Sequence, residues 1–149
     1  MSRLTLTMVV SDAVEAMEFY EECFGGTRGD VYIFSGVEKC NEAHITVGDV
    51  SLRLVDANDK FACFPPKKGE TDSIWLAIEV TDCDKIFKKA LQLGAKAGHE
   101  PLENLGILAA QIRDPFGYTW TINEEVEKKS FEERFEFYEK FHNGEKTEG

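Results

Sequence analysis

Arg53 and Glu79 are the two residues best suited by type and setting to hold or transform a small molecule. Each is set among alternating aliphatic residues, in "SLRLV" and "LAIEV". Each therefore projects from the side of its strand opposite to the neighbouring leucines, isoleucine and valine. A guanidinium on such a face suits a bidentate grip on a carboxylate or phosphate. A glutamate in a low-polarity pocket can act as a general base, which makes Glu79 the one catalytic candidate. Trp75, on the same side as Glu79, offers a face for stacking on a planar or apolar ligand. If Arg53 and Glu79 point into one cavity they can instead pair with each other, an arrangement that needs good geometry to offset desolvation.

Other chemistries have less support. The three histidines are His44, His99 and His142, and no two are spaced i, i+2 or i, i+4 as ligands on one strand or helix face would be. A lone histidine such as His44, which begins a strand, reads as a hydrogen-bonded structural residue. The four cysteines, Cys23, Cys40, Cys63 and Cys83, share no CxxC or zinc-type spacing. Cys23 and Cys83 fall on apolar helix faces, where a thiol behaves as a small hydrophobe. Reduced structural thiols in a cytoplasmic protein are the expectation.

A net charge of -11 removes the electrostatic footprint that nucleic-acid binding requires. The start, "MSRLTLTMVVSD", is too short and too rich in threonine for a signal segment. No apolar run approaches the roughly 20 residues of a membrane span. Neither nucleic acid nor membrane is expected as a partner. At 149 residues the chain can bury a core without disulfides or metal.

The elements that position these residues come in two similar runs. In "TLTMVVSDAVEAMEFYEECFGG" a strand, Thr5 to Val10, leads into a helix opened by Asp12 and Glu15 as a capping box and closed by Gly25 and Gly26. Ala16, Phe19, Tyr20, Cys23 and Phe24 define its buried face. In "IWLAIEVTDCDKIFKKALQLGA" a strand, Ile74 to Val80, leads into a helix opened by Thr81 with Asp84, buried through Cys83, Ile86, Phe87, Ala90 and Leu91, and closed by Gly94. Strands follow at Asp30 to Ser35, Ala43 to Val47 and Val50 to Val55 in the first run. In the second they fall at Ala97 to His99, Leu108 to Arg113 and Tyr118 to Asn123. "VGDV" reads as a tight hairpin and "DPFG" as a type I turn.

The expected fold is α+β, with tandem βαβββ modules forming a curved mixed sheet around a ligand cavity, plus a C-terminal helix. Residues 1–56 make the first module, 57–73 a linker loop, 74–124 the second module, and 125–149 the C-terminal helix with a disordered end. Strand parity separates an aliphatic face, which packs on the helices, from a face carrying Thr5, Thr7, Arg53, Trp75, Glu79 and Thr121. A polar face can simply meet water. Trp75 and Val55 are poor choices for such a face, and they favour a cavity whose ligand-binding set is those six residues.

The paired modules, "AMEFYEECFGG", "AHITVGDVSLRLVDA" and above all "RDPFGYTWTI" resemble the vicinal-oxygen-chelate superfamily, which holds glyoxalase I, extradiol dioxygenases and the fosfomycin and bleomycin resistance proteins. Within it, "FGG", the His44 strand and "DPFG-x-x-W" most resemble the PhnB-like branch. The resemblance implies a homodimer and one divalent metal held by histidine, glutamine or glutamate from inner strands. It places those ligand positions at Thr5, Arg53, Trp75 and Thr121, none of which suits the ion: arginine repels it and tryptophan offers no lone pair. The expectation is a glyoxalase/bleomycin-resistance-like protein binding a small organic molecule, with no metal and no other cofactor. A metal-dependent lyase or dioxygenase with displaced ligands is the first alternative.

The second alternative is an interaction protein acting through its tail. "SFEERFEFYEKFHNG" opens with a capping box at Ser130 and Glu133 and aligns Phe131, Arg134, Phe135, Tyr138 and Phe141 along one side. That face is expected to dock on the protein's own sheet or across a dimer interface.

Overall fold

The computed structural model describes residues 1–36, 40–68 and 72–144. The architecture is α+β, built from two tandem βαβββ modules and a C-terminal helix. The first module runs β1 (Thr5–Val10), α1 (Ala13–Phe24), β2 (Thr27–Tyr32), β3 (Glu42–Val47) and β4 (Val50–Asp56). A short 3-10 turn, Asp59–Phe61, follows. The second module runs β5 (Leu76–Glu79), α2 (Cys83–Gln92), β6 (Lys96–Asn104), β7 (Ile107–Arg113) and β8 (Thr119–Glu125), and α3 (Phe131–His142) ends the described chain. Each module makes its own four-stranded sheet, ordered β1-β4-β3-β2 and β5-β8-β7-β6, with the first and last strand of the module parallel and the other pairs antiparallel.

Local chemistry explains the element ends. Asp12 caps α1 by accepting the Glu15 N–H at 2.9 Å, and Gly25 closes it in the left-handed conformation, φ 70°. In α2 the cap is Asp82, accepting from Lys85 N–H at 3.1 Å, rather than the expected Thr81. A carboxylate one residue nearer the helix does the task better, because it also meets the positive end of the helix dipole. The strands around the hairpins shift too. The expected strand Asp30 to Ser35 lies at Thr27–Tyr32, and that at Ala97 to His99 extends over Lys96–Asn104. The strand expected from Ile74 is confined to Leu76–Glu79, leaving Trp75 ahead of it and exposed.

The aliphatic faces of both sheets turn inward on α1 and α2 and share one core. Met8, Val10, Ile45, Leu52 and Leu54 come from the first module, and Ala110, Ile112, Trp120 and Ile122 from the second. Leu6, Leu52 and Val47 line the same open groove as Leu76, Ile78 and Trp120, with the exposed Ile74 and Trp75 at its mouth.

The "DPFGYTW" segment joins the modules. Its turn closes through Gly117 N–H to the Asp114 carbonyl at 3.1 Å. Asp114, 4% exposed, accepts from the Tyr20 hydroxyl of α1 at 2.5 Å and from Trp120 Nε1 at 2.9 Å through Oδ2. Its Oδ1 accepts the Phe116 and Tyr118 N–H groups. The Tyr118 hydroxyl reaches back to the Val9 carbonyl of β1 at 2.9 Å. Phe19, Tyr20, Phe24, Phe116 and Trp120 pack around this network with ring centroids 4.5 to 6.2 Å apart, mostly edge-on or tilted, as aromatic quadrupoles prefer.

α3 is built as its sequence requires, with Ser130 accepting from Glu133 N–H at 3.1 Å. Its placement differs from the docked helix expected on the protein's own sheet. Among the described residues it packs against no strand or other helix. A shallow hollow beside it is lined by Leu105, Lys129, Glu133, Glu136, Phe137 and Lys140, and Lys129 Nζ stands 3.9 Å from the Glu133 carboxylate. Phe131, Phe135, Tyr138 and Phe141 stay exposed. The disordered end expected at residues 145–149 lies outside the described residues, as does Gly69 of the linker.

Candidate functional site

The polar face of the first module is a set of cross-strand rows. Thr5, Ser51, Thr46 and Thr27 make one; Thr7, Arg53 and His44 the next; Val9, Val55, Glu42 and Tyr32 the third. Each row follows from the pleat: β3 and β4 meet in the two-residue "GD" hairpin, whose Gly48 takes φ 57°, and that turn fixes which residues stand opposite. A hollow of about 460 Å³ opens over the second and third rows. Val9 and Val55 supply an aliphatic floor, Tyr32 and Phe34 one wall, Phe61 and Cys63 another. The Tyr32 and Phe34 rings are stacked, 6.4 Å apart and 13° from parallel.

The polar end of the hollow is ordered by one carboxylate. Glu42 takes an ion pair from Arg53 and a hydrogen bond from His44 Nε2 at 3.0 Å, one on each oxygen. Burial alone pushes its carboxyl up, but the contacts from His44 and Arg53 outweigh that and hold it below the ordinary glutamate range. His44 stands edge-on to Tyr32, centroids 6.0 Å apart. Gly29 lies across the ladder from it, and a β-carbon there would come within 3.2 Å of the His44 β-carbon and 3.3 Å of its carbonyl oxygen, so the glycine lets the two strands approach closely. Asp56, at the closed end, accepts the Ala13 and Asn41 N–H groups and is structural.

The six residues expected to form one ligand set are divided between places. Thr7 and Arg53 line the hollow of the first module. Trp75 and Glu79 line a groove of about 510 Å³ between the modules, beside Leu6, Val50 and Ile74. Thr5 stands in the outer row of β1, opposite Ser51. Thr121 lies opposite Ala77 and Gln111 on the polar face of the second module. Arg53 and Glu79 thus open onto different hollows, and Arg53 takes Glu42 as its partner. Glu42 is not legible from strand parity, because it precedes the expected strand start at Ala43 although β3 begins with it. Its i, i+2 relation to His44 was the available signal.

The thiols divide likewise. Cys23 and Cys83 are buried; burial pushes the Cys23 thiol up to about 12 and raises that of Cys83. Cys40 and Cys63 are half-buried and both line the hollow.

The donor set at the positions the resemblance assigns to metal ligands does not fit a divalent ion. Two are threonine hydroxyls, one an exposed tryptophan, and the fourth a guanidinium already engaged by Glu42. Among the described residues no three of His, Cys, Asp and Glu gather as metal ligands would. No described helix is long and apolar enough to cross a membrane.

Comparison with known proteins places this geometry. The model of the Glyoxalase/Bleomycin resistance protein/Dioxygenase superfamily matches residues 3–122. No curated protein sequence matches significantly. Among solved structures, the fosfomycin resistance protein FosX from Mesorhizobium loti superposes with a TM-score of 0.63 at 14% identity, covering 91% of this chain and 97% of that one. FosX from Listeria monocytogenes, solved with Mn(II) and sulfate, gives 0.66 at 11% identity, covering 90% and 97%. A glyoxalase family protein from Bacillus cereus gives 0.65 at 16%, covering 85% and 96%. At such identities the likeness speaks for the fold alone.

Proposed function

Since the chain belongs to the glyoxalase/bleomycin resistance protein/dioxygenase superfamily, we propose that it binds a small organic molecule in the hollow on the first module's polar face, independently of the superfamily's metal. The observation that carries this reading is the hollow itself: a stacked aromatic wall and an aliphatic floor ending in Arg53 and Glu42. Small-molecule sites have this composition, apolar walls with few convergent polar groups. The ligand that fits is flat and largely apolar, with one polar group for the guanidinium donors that Glu42 leaves free. Kinship to the PhnB-like branch belongs to this proposal and rests on "FGG", the His44 strand and "DPFG-x-x-W". So do action as a homodimer, which would cover the open hollow and the unpaired edges of β1 and β5, and a cytoplasmic setting, which suits four free thiols.

The test is a thermal-shift screen of aromatic and heteroaromatic compounds on protein dialysed against chelator. Hits should raise the melting temperature of the wild type and of Trp75→Ala, whose side chain lines the other groove. They should lose most of their shift on Tyr32→Ala and Arg53→Ala. Equal shifts in all four proteins would sink the assignment.

A second reading has its own observation, the exposed aromatic face of α3. In this reading the helix serves a partner and not the fold. Deleting residues 130–149 should then change the unfolding free energy by less than about 1 kcal/mol, since none of the described side chains removed is buried. A loss of several kcal/mol in urea titration would return the helix to the structural core.

A further inference from the structure

We propose that Cys40 and Cys63 are a redox modification site, joined by a peroxide into a reversible disulfide at the rim of the first module's hollow. The two residues stand 23 positions apart, yet the backbone brings them side by side. β3 and β4 pair antiparallel as far as Glu42 opposite Val55. The pairing runs one residue further, with the Asp56 N–H donating to the Asn41 carbonyl at 3.0 Å. Ala57 turns its N–H the other way, to the Val10 carbonyl of β1 at 2.7 Å. Asn58 is extended, φ -155° and ψ 115°, so its N–H points to the β3 side again. There it meets Cys63: the Asn58 N–H donates to the Cys63 carbonyl at 2.9 Å, and the Cys63 N–H to the Asn58 carbonyl at 3.0 Å. The turn that returns the chain passes through Ala62, held in the left-handed conformation at φ 53°.

Cys63 therefore takes the place beside the extended β4 next after Asn41, on the flank from which Cys40 enters β3. Asp56 and Asn58 are two strand residues apart, about 6.8 Å, and their partners Asn41 and Cys63 are spaced alike. Cys40 is bonded to Asn41, and the register sets it opposite Ala57, between the two. Its Cα thus lies about 4–7 Å from that of Cys63, the span a disulfide requires. Both side chains are half-buried and line the same hollow, so the thiols face one space that a small oxidant can enter. The Cys63 thiol now donates only a weak bond, 3.6 Å to the Phe61 carbonyl. Cys23 and Cys83 differ in each respect. They are 1% and 0% exposed, burial raises both thiols, and the Cys83 thiol donates to the Ile122 carbonyl at 3.3 Å. Buried protonated thiols are inert, so reactivity falls on the pair at the rim.

The oxidant is a peroxide, and with hydrogen peroxide the step balances as follows. One thiolate attacks a peroxide oxygen, the O–O bond breaks, and the sulfur becomes a sulfenic acid as hydroxide leaves. The second thiolate attacks that sulfur, the S–S bond forms, and the S–O bond breaks with loss of a second hydroxide. The two thiol protons convert both hydroxides to water. Two thiols lose two electrons, and one peroxide is reduced to two waters. The bond fastens the Phe61–Cys63 wall of the hollow to the start of β3. It needs no ligand in the hollow and so stands apart from the binding reading.

The test takes full-length protein, reduced with dithiothreitol and desalted, and treats it with a few equivalents of hydrogen peroxide. Free thiols are then alkylated with N-ethylmaleimide in denaturant. Intact mass should show two adducts per chain in place of four, and dithiothreitol should restore the four. Non-reducing tryptic mapping should join residues 40–53 to residues 61–67. A bond that closes this loop constrains the unfolded chain, so the linked protein should melt several degrees above the reduced one. Cys40→Ser and Cys63→Ser should each form no link and show no such rise. Four adducts from peroxide-treated wild type overturn the proposal, as does a link to Cys23, to Cys83 or between two chains. So does a linked protein that melts no higher than the reduced one, because the native backbone would then not accommodate the bond.

Discussion

Asp114→Ala will cost the fold about 4 kcal/mol, against a total stability on the order of 5–15 for a domain of this kind. The loss has two main parts. The Tyr20 hydroxyl and the Trp120 N–H both end on Asp114 Oδ2, and Tyr20 and Trp120 are 0% and 2% exposed. Each buried donor left without an acceptor carries a desolvation penalty of about 1–3 kcal/mol. The Phe116 and Tyr118 N–H groups lose their acceptor as well. Tyr20→Phe removes one charge-assisted bond and should cost about 2 kcal/mol. Asp114→Asn should fall between: its oxygen keeps the two backbone bonds and Tyr20 can turn to accept, but the indole can only donate. Urea titration of the three variants gives the order, and a midpoint for Asp114→Ala within error of wild type would deny the clamp its structural role.

The same carboxyl gives the clamp a pH signature. Burial is the largest influence and raises its pKa, against the hydrogen bonds from Tyr20, Tyr118, Trp120 and Phe116 that pull it down. A folded pKa above the unfolded one means that the folded chain holds the proton more tightly. Its contribution is complete below the unfolded value of about 4 and is lost as pH rises through the folded value. Asp114→Asn should flatten stability over that window. Glu42 acts with the opposite sign: held low, it contributes above the ordinary glutamate value and loses that contribution as pH falls through its folded pKa.

Gly106→Ala is the second large effect, expected at about 3 kcal/mol. The turn between β6 and β7 holds Leu105 and Gly106 at φ 51° and 82°, and a β-carbon on Gly106 would stand 2.1 Å from the Glu127 carbonyl oxygen. The left-handed conformation costs an L-residue about 1–2 kcal/mol. The obstruction is backbone, so residues Val126 and Glu127 must move, and both donate to the Gly106 carbonyl. Breaking those bonds adds about 0.5–1.5 kcal/mol each. Gly48→Ala is the control, since Gly48 also has positive φ but its β-carbon would meet nothing within 4 Å. It should lose only the conformational part. Equal losses in the two variants would mean that the packing at Gly106 is irrelevant.

The modules were legible because α1, α2, β1, β4 and β8 bury one face and expose the other, so periodicity and parity carry the signal. β2 has no buried residue and β6 is exposed along nearly its whole length. Without a buried face there is no alternation to read, and both strands were misplaced or cut short. The division of the ligand set had a different cause. Parity assigns Arg53 and Glu79 each to a polar face but says nothing of how two such faces are disposed. That is decided by Tyr20 and Asp114, 94 residues apart. Helical spacing makes Tyr20 a core residue, which it is; that its hydroxyl fastens one module to the other leaves no mark on local spacing. The α3 stripe shows a related limit, since amphipathy predicts a partner without naming it.

The buried clamp also bears on how such a chain can descend from a doubled ancestor. Counting eight residues past each capping aspartate, Tyr20 in α1 corresponds to Ala90 in α2, and both are fully buried. Two copies of the first half would bring two phenols together with no carboxylate between them, and two copies of the second would bury two carboxylates with no phenol. The halves have become unlike mates. Recombination that exchanges or repeats one of them would leave buried polar groups without partners at the joint, a loss on the scale expected for Asp114→Ala.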